Sequence, residues 1–503
     1  MAQIINSASV LAIKEESTEG TLIAPTAAGD FIALQDDADM SPQFDQLDNA
    51  ELKNSIGKAK GIVGAENPTF SGSHYLRHSG TSGTAPGYGM ILEGAFGTVA
   101  SEGTEYTTTS GSTVSSIAQT SAAANWQRGH IALIQDGTNG YSLRPVHSLS
   151  TNAWVPGFNV TAAPATGINL GKPVTYYPAN SGHKSYSIWH YLGNGGAIQA
   201  MSGAKFTEIS MSFSAGELIN MSYTAEGLGY YFNPIMVTAS TKYLDFTDDD
   251  GTFAAVIPPG NYKDPHEFAA AVTTAMNTAS SGETHTCTYS SSAGTYTILC
   301  TGTVLTLLWN TGTNTANTIA TKLGFTAAAN SSGTVATTGY TGTASTFTAS
   351  YTPAYDASNP LAAKYHELLI GDATDTTPVP ASNVSFTLTN TRAVIGSVSA
   401  QSGRSGSLIT SREAMLTATA LLDKYEAKRF YKYQTNEDTR AFYAFGTRSG
   451  SNWVKGKCGG IYLPTATISE FDLSNQDGQV ALTITLKSYV NDSSEGEVYL
   501  GFV

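Results

Sequence analysis

A few groups of side chains in this 503-residue chain have types and spacings that chemistry could use. Ser55-Ile-Gly-Lys58 has the S-x-x-K spacing in which a lysine takes the proton of a serine nucleophile, an arrangement that needs a helix, an apolar pocket and partner motifs. Here a glycine interrupts the motif and no partner motif is found. Asp245, Asp248, Asp249 and Asp250 offer carboxylates to calcium, but the grammar of a calcium loop and its closing glutamate are missing, so a solvated turn is expected. His74 and His78 have a spacing that suits metal ligation on a helix; on the strand-like pattern they occupy, the two rings would not converge. Gly456-Lys-Cys-Gly-Gly460 lacks phosphate-loop spacing and reads as a turn. Carboxylates are plentiful, and none pairs with another so as to mark an acid and a base. The expectation is no enzyme activity, with no catalytic, cofactor-binding or metal-ligating residue.

The elements that hold these residues explain more. Charged residues make up 13 % of the chain and aromatic residues 10 %, with 50 glycines, which describes a folded, β-rich and loop-rich protein rather than a disordered one. The net charge of −14 lacks the basic footprint of a nucleic-acid binder. Cys287, Cys300 and Cys458 do not make a disulfide framework; Cys287 and Cys300 fall on the two arms of an expected hairpin, yet reduced, half-buried thiols made in a cytoplasm fit better. The start, MAQIINSASVLAIKEE, does not read as a secretory signal, and no apolar run approaches the ~20 residues that span a bilayer. A soluble chain made in a cytoplasm is expected.

The end of the chain repeats a piece of its middle. Ala204–Thr224 and Ala466–Leu486 align without a gap: Ala204 meets Ala466, Glu208 meets Glu470, Gly216 meets Gly478, and Leu218 meets Val480. Each copy alternates apolar and polar residues, breaks near a glycine and alternates again, as a β-hairpin does. Upstream, a strand from Asn67 to Arg77 is matched with one from Asn383 to Arg392. The stretch Tyr88–Phe96 is matched with Met415–Tyr425, where Thr410 and Glu413 have capping-box spacing and Met415, Ala418, Leu422 and Tyr425 share a helical face. Aromatic strand pairs, Tyr186–Tyr191 and Phe442–Phe445, follow in each copy before a Gly-rich turn. The ordered set points to a duplicated β-unit and to assembly rather than to one active site.

Between the copies, Asp264 can cap a helix with Pro265 at its first position. A hairpin follows, Thr286–Ser290 against Thr295–Cys300, then an apolar strand Val304–Trp309 and a short helix near Asn317–Leu323. The expected organisation is a first domain over 1–238, carrying an outward insertion at about 103–170, a small α+β domain over 239–345, and a second domain over 346–503. The fold class is mainly β with flanking helices: a duplicated β-sandwich or barrel plus the α+β insert. Glu208, Gly216, Glu470 and Gly478, the matched residues of the two hairpins, are the candidate assembly residues.

The N-terminal residues Glu16-Ser-Thr-Glu-Gly-Thr21, Ala24-Pro-Thr26, Asn54–Lys60, Glu66-Asn-Pro68 and His74–His78, together with the two hairpins, resemble the major tail tube proteins of long-tailed bacteriophages, especially those with non-contractile (siphovirus-type) tails. The insert resembles a module of phage tail proteins through Leu244-Asp-Phe246, Pro259-Gly-Asn-Tyr262, Leu307-Leu-Trp309 and Leu323-Gly-Phe325. The resemblance implies a virion protein whose sheets join between subunits into a barrel, whose rings stack into a tail tube, and through whose lumen DNA passes without specific binding. Its partners would be other copies of itself, a tape-measure protein, a tail terminator and tail-tip proteins, with no membrane. Two fused domains per chain would let three chains make a pseudo-six-fold ring, with six chains as the alternative. A tail-tip or surface adhesin built from the same modules, or a glycan-degrading tail enzyme, are the competing classes; the first needs an exposed aromatic patch or metal-bound tip, the second a carboxylate pair in a cleft.

Overall fold

The computed structural model describes residues 4–51, 56–334, 339–345, 347–349, 351–356, 358–422, 427–476, 478–490 and 496–503. Ser55 of the S-x-x-K spacing, Asn54 and Tyr425 lie outside them. The fold is mainly β, with short helices on its flanks. Its centre is a run of antiparallel strands, labelled here in chain order: β1 (Asp39–Ser41), β2 (Thr69–Tyr75), β3 (Ala197–Ser214), β4 (Asn220–Glu226), β5 (Ala381–Gly396), β6 (Arg404–Leu421), β7 (Asn452–Gln476) and β8 (Gln479–Ser488). Their spatial order is β1-β2-β4-β3-β5-β6-β8-β7.

The two halves of this run trace the same path. In each, a long strand, β3 or β7, begins in one sheet layer and ends in another. The first part of β3 pairs with Tyr186–Leu192 and Gly229–Phe232, and Tyr186–Leu192 also pairs with Val10–Glu15. The first part of β7 pairs in the same way with Thr439–Ser449 and Tyr499–Phe502, and Thr439–Ser449 also pairs with Glu367–Gly371. Where the long strand crosses between layers it carries a β-bulge, between Phe206 and Glu208 in β3 and between Ile468 and Glu470 in β7. A bulge bends a strand and raises its twist, so one strand can serve two layers.

Three matches made from the sequence change. The gapless alignment slips by one residue beyond the turn: Glu208 faces Thr224, whereas Glu470 faces Thr485, so the second turn is one residue shorter and Ile219, buried, takes the place given to the exposed Leu218. The strand matched with Asn67–Arg77 is β6 and not the Asn383 strand, because β2 borders β4 as β6 borders β8. Met415–Leu421 is strand, not helix, and Thr410 and Glu413 lie on that strand rather than at a helix start. Burial alternates along it, with Ala414, Leu416, Ala418 and Ala420 inside, and two flanking strands satisfy its backbone; pairing on both sides overrides a weak helical spacing.

The first helix lies where the sequence placed it, within Tyr88–Phe96, and the second comes after the stretch expected to hold it. Helix α1 (Gly89–Phe96) packs on β3, and α3 (Ala427–Thr435) packs on β7. Gly94, which weakens α1 by propensity, is required by packing: a Cβ there would stand 2.6 Å from Phe206 and 2.7 Å from Tyr186. A single apolar core runs through both halves, from Leu11, Phe70 and Phe96 to Phe386, Phe445 and Leu486. The insertion after α1 forms its own sheet and core around Trp126 and Trp154. It is not merely external: Ile131, Leu133 and Phe158 pack against Phe442, Trp453 and Tyr462 of the second half.

Between the halves, Tyr243–Asp248, Gly251–Val256 and Val304–Leu307 share one sheet, and His285–Ser290 with Thr295–Cys300 form a hairpin in another. Helix α2 (Pro265–Ala279) lies against them, and Asp264 caps it by accepting from the His266 and Glu267 amides at 2.7 and 3.0 Å. The short helix expected near Asn317–Leu323 is two 3₁₀ turns.

Candidate functional site

The seam between the halves is the joint most like an interface. Seven residues of β3, Glu208–Ser214, pair in unbroken register with Thr389–Asn383 of β5. Met211 faces Phe386 and Ile209 faces Leu388, all buried. The bulge does not leave its carbonyl unmet, because the Asn390 side-chain amide donates to Phe206 O at 3.0 Å and to Ala95 O at 2.9 Å. Arg392, beside it, donates to Gly227 O at 3.1 Å.

The matching stretch of β7 carries no such partner among the described residues. From Glu470 to Gln476 it pairs with β8 on one side only. Leu473, which takes the place of Met211, is 53 % exposed while Met211 is fully buried. Val480 is exposed on the same face, and Phe430 and Tyr433 of α3 reach Phe471 at ring separations of 5.4 and 6.1 Å. At the other end of the run, β1 pairs among the described residues with β2 alone, and the exposed apolar residues Phe44, Leu47, Ile62 and Val63 sit on the paired strands that continue from it. An open strand edge with apolar neighbours is a template for pairing.

One face of the run is built largely from small hydroxyl side chains. Cross-strand partners read Tyr75, Asn220, Ser212, Ser385, Thr417, Thr485 and Glu470 in one row. Another row reads Asp39, Ser71, Thr224, Glu208, Thr389 and Glu413. Thr417 and Thr485 hydroxyls are 3.1 Å apart, and Thr485 donates to Glu470 at 2.9 Å. Lys487, paired with Glu413 at 2.8 Å, also lies here.

The candidate assembly residues fall on this frame. Glu208 and Glu470 follow the two bulges, both exposed, Glu208 on a strand flanked on both sides and Glu470 on the open edge. Gly216 and Gly478 turn the hairpins at φ +82° and +81° with open space around them. The N-terminal motif is a stitching element. Glu16 is buried and accepts from Gly20 N and Gly203 N at 2.8 Å and from Ser185 and Ser187; burial raises its pKa against the pull of those bonds. Glu19 accepts from Lys205 at 3.1 Å and from the Ser407 amide and hydroxyl at 2.8 and 2.7 Å, binding the first half to β6.

The other chemical candidates resolve as follows. His74 is packed between Tyr88 and Tyr223, and His78 beside Phe445 and Phe502; burial pushes both imidazoles down to about 3, so both are neutral core groups. Gly456–Gly460 is strand rather than turn: Gly459 and Gly460 let β7 approach Gly501 O and Phe442 where a Cβ would collide. Cys287 faces Ile298, not Cys300, and all three thiols are buried and free. Of the four acids, Asp249 and Asp250 form the exposed turn expected, while Asp245 and Asp248 do not. Asp245 is buried and accepts from Asn314 N at 2.6 Å, and Asp248 is buried beside His285, a pairing that no sequence spacing announced.

No protein-family model and no curated protein matches the sequence. Among solved structures, the virion of a native gene transfer agent particle is similar at 12 % identity and a TM-score of 0.20, covering 26 % of this chain and 93 % of that one. A mutant form of the Hcp1 protein from the E. coli EAEC 042 pathovar is similar at 9 % and 0.18, covering 26 % and 95 %, and a further Hcp protein at 15 % and 0.17, covering 26 % and 96 %.

Proposed function

We propose that the chain is a structural virion protein that polymerises through its two open strand edges into rings, which stack into the tail tube that conducts DNA into a host. The supporting observation is the seam. The run already holds one joint between equivalent halves, Glu208–Ser214 on Asn383–Thr389, and ends in the two surfaces needed to repeat that joint between chains. A surface patch meeting a different patch on the next copy gives a closed ring when the rotation closes, and closure removes every edge. Three chains with two equivalent halves each make a pseudo-six-fold ring, in which the domains 1–238 and 346–503 alternate and 239–345 projects from the wall. The hydroxyl-rich, acidic face then lines the lumen, where it offers phosphate no cation cluster to adhere to. Non-contractile tails, with a tape-measure protein, a terminator and tip proteins as neighbours, are the setting this reading fits.

Superposing the seam register on the open edges sets Leu473 against Met40 and Asp472 against Ser41 of the next chain. Asp472→Cys with Ser41→Cys should therefore form an interchain disulfide under mild oxidation, and a non-reducing gel should show a ladder that ends at a closed trimer. A ladder ending at six chains would favour the larger ring, and the absence of any interchain bond in assembled material would overturn the pairing.

A further inference from the structure

Away from the open edges, the insert brings together a set of donor atoms, those of His285 and Cys300 buried and that of Glu283 half-buried, that the tube reading does not use. Glu283 lies on the bend two residues before His285, the first residue of its strand, and Cys300 is the direct cross-strand partner of His285. Their ligand atoms all lie within 4.8 Å of one another. Asp248 reaches in from the other sheet of the insert, its Oδ2 3.4 Å from His285 Nε2.

The group is internally unsatisfied. The side chains of His285 and Asp248 are fully buried, yet both ring nitrogens of His285 and Oδ2 of Asp248 have no hydrogen-bond partner. The His285 ring is held edge-on by Phe246 at 4.9 Å, which cannot serve a polar atom. The Cys300 thiol donates to the Glu283 carboxylate, and among the described residues no lysine or arginine pairs with Asp248, Asp249 or Glu283. Carboxylates, a thiol and an imidazole packed without a cation carry an uncompensated cost that a divalent ion would remove.

The thiol proton that Cys300 gives to Glu283 is the one a divalent ion would displace. The Gly302 amide donates to Cys300 Sγ at 3.3 Å, the outer-shell support that ligating sulfurs receive, and a Cβ on Gly302 would strike Glu283.

We propose that Glu283, His285 and Cys300 form a binding site for a zinc-class divalent cation, with Asp248 beside the imidazole as its outer-shell partner. The mixed N, S and O donor set selects such an ion over calcium or magnesium, which take oxygen ligands. The ion ties the Glu283 bend to both arms of the hairpin, at His285 and Cys300, while Asp248 faces the imidazole from the other sheet; three protein ligands leave the fourth position to solvent, and no reaction is implied.

The test uses the full-length chain purified with added zinc and dialysed, with metal counted by mass spectrometry, followed by exchange into cobalt(II) and optical spectroscopy. The expected result is about one zinc per chain and a sulfur-to-cobalt charge-transfer band. Cys300→Ser should remove the band, and His285→Ala and Asp248→Asn should each lower affinity about 10–100-fold. Circular dichroism separates loss of metal from loss of fold, and Cys287→Ser, outside the site, should keep both metal and band. Substoichiometric metal in the folded wild-type chain, or a band that survives Cys300→Ser, would overturn the site. Assembly of the tube is scored separately, so neither reading depends on the other.

Discussion

At the scale of the residue, the fold concentrates its costs in buried polar groups. Asn390 serves two backbone carbonyls at the seam, and Asn390→Ala strands both, which should lower stability by about 1–3 kcal/mol in denaturant unfolding. Burial pushes the imidazoles of His74 and His78 down to about 3 and those of His130 and His366 down to about 4. The unfolded chain takes protons on these rings once the pH falls below about 6.5, while the folded chain refuses them until about 3 to 4. Their stability is thus present above pH 6.5 and is lost progressively as the pH falls through that window, at about 2 kcal/mol per ring by pH 5. Denaturant midpoints at pH 7.5 and pH 5 should show the loss, and His74→Phe, packed between Tyr88 and Tyr223, should reduce it. The sequence marked these histidines as unsuited to a shared metal but not as core groups, since burial comes from strands far away in the chain. The Asp248–His285 contact was illegible for the same reason: its halves lie on different sheets.

At the scale of the element, the same strand occurs twice in different company. Met211→Lys places a charge in the covered seam and should cost more than about 3 kcal/mol, unfolding much of the chain. Leu473→Lys, the matching change on the open edge, should leave the melting temperature nearly unchanged and abolish higher oligomers in sedimentation velocity. Gly216→Ala and Gly478→Ala force a left-handed conformation on a side chain and should each cost about 1–2 kcal/mol with open space around them. The hairpins, their glycines and the capped helix of the insert were legible because each is set by residues close together in the chain. Met415–Leu421 was not, because its helical spacing of Met415 and Ala418 competes with an equally good alternation of Ala414, Leu416, Ala418 and Ala420, and the choice is made by β5 and β8. The slip of one residue past the turn was hidden too, since alternation repeats every two residues and both Leu218 and Ile219 are apolar.

At the scale of the molecule, the chain is half of a design that it has already carried out once. Its internal seam shows how equivalent halves join, its core runs through that seam, and its remaining edges carry the apolar surface that a further joint would bury. The fold class was readable from composition and the repeated hairpin. Which edges remain free was not, because that depends on how every other strand has paired. The most direct test is electron microscopy of the purified chain over a concentration series, with the mass of each species measured in parallel. The account predicts hollow rings and tubes of uniform bore, six lobes around the lumen and three chains per ring. Solitary chains at every concentration, in protein that is folded by circular dichroism, would contradict it.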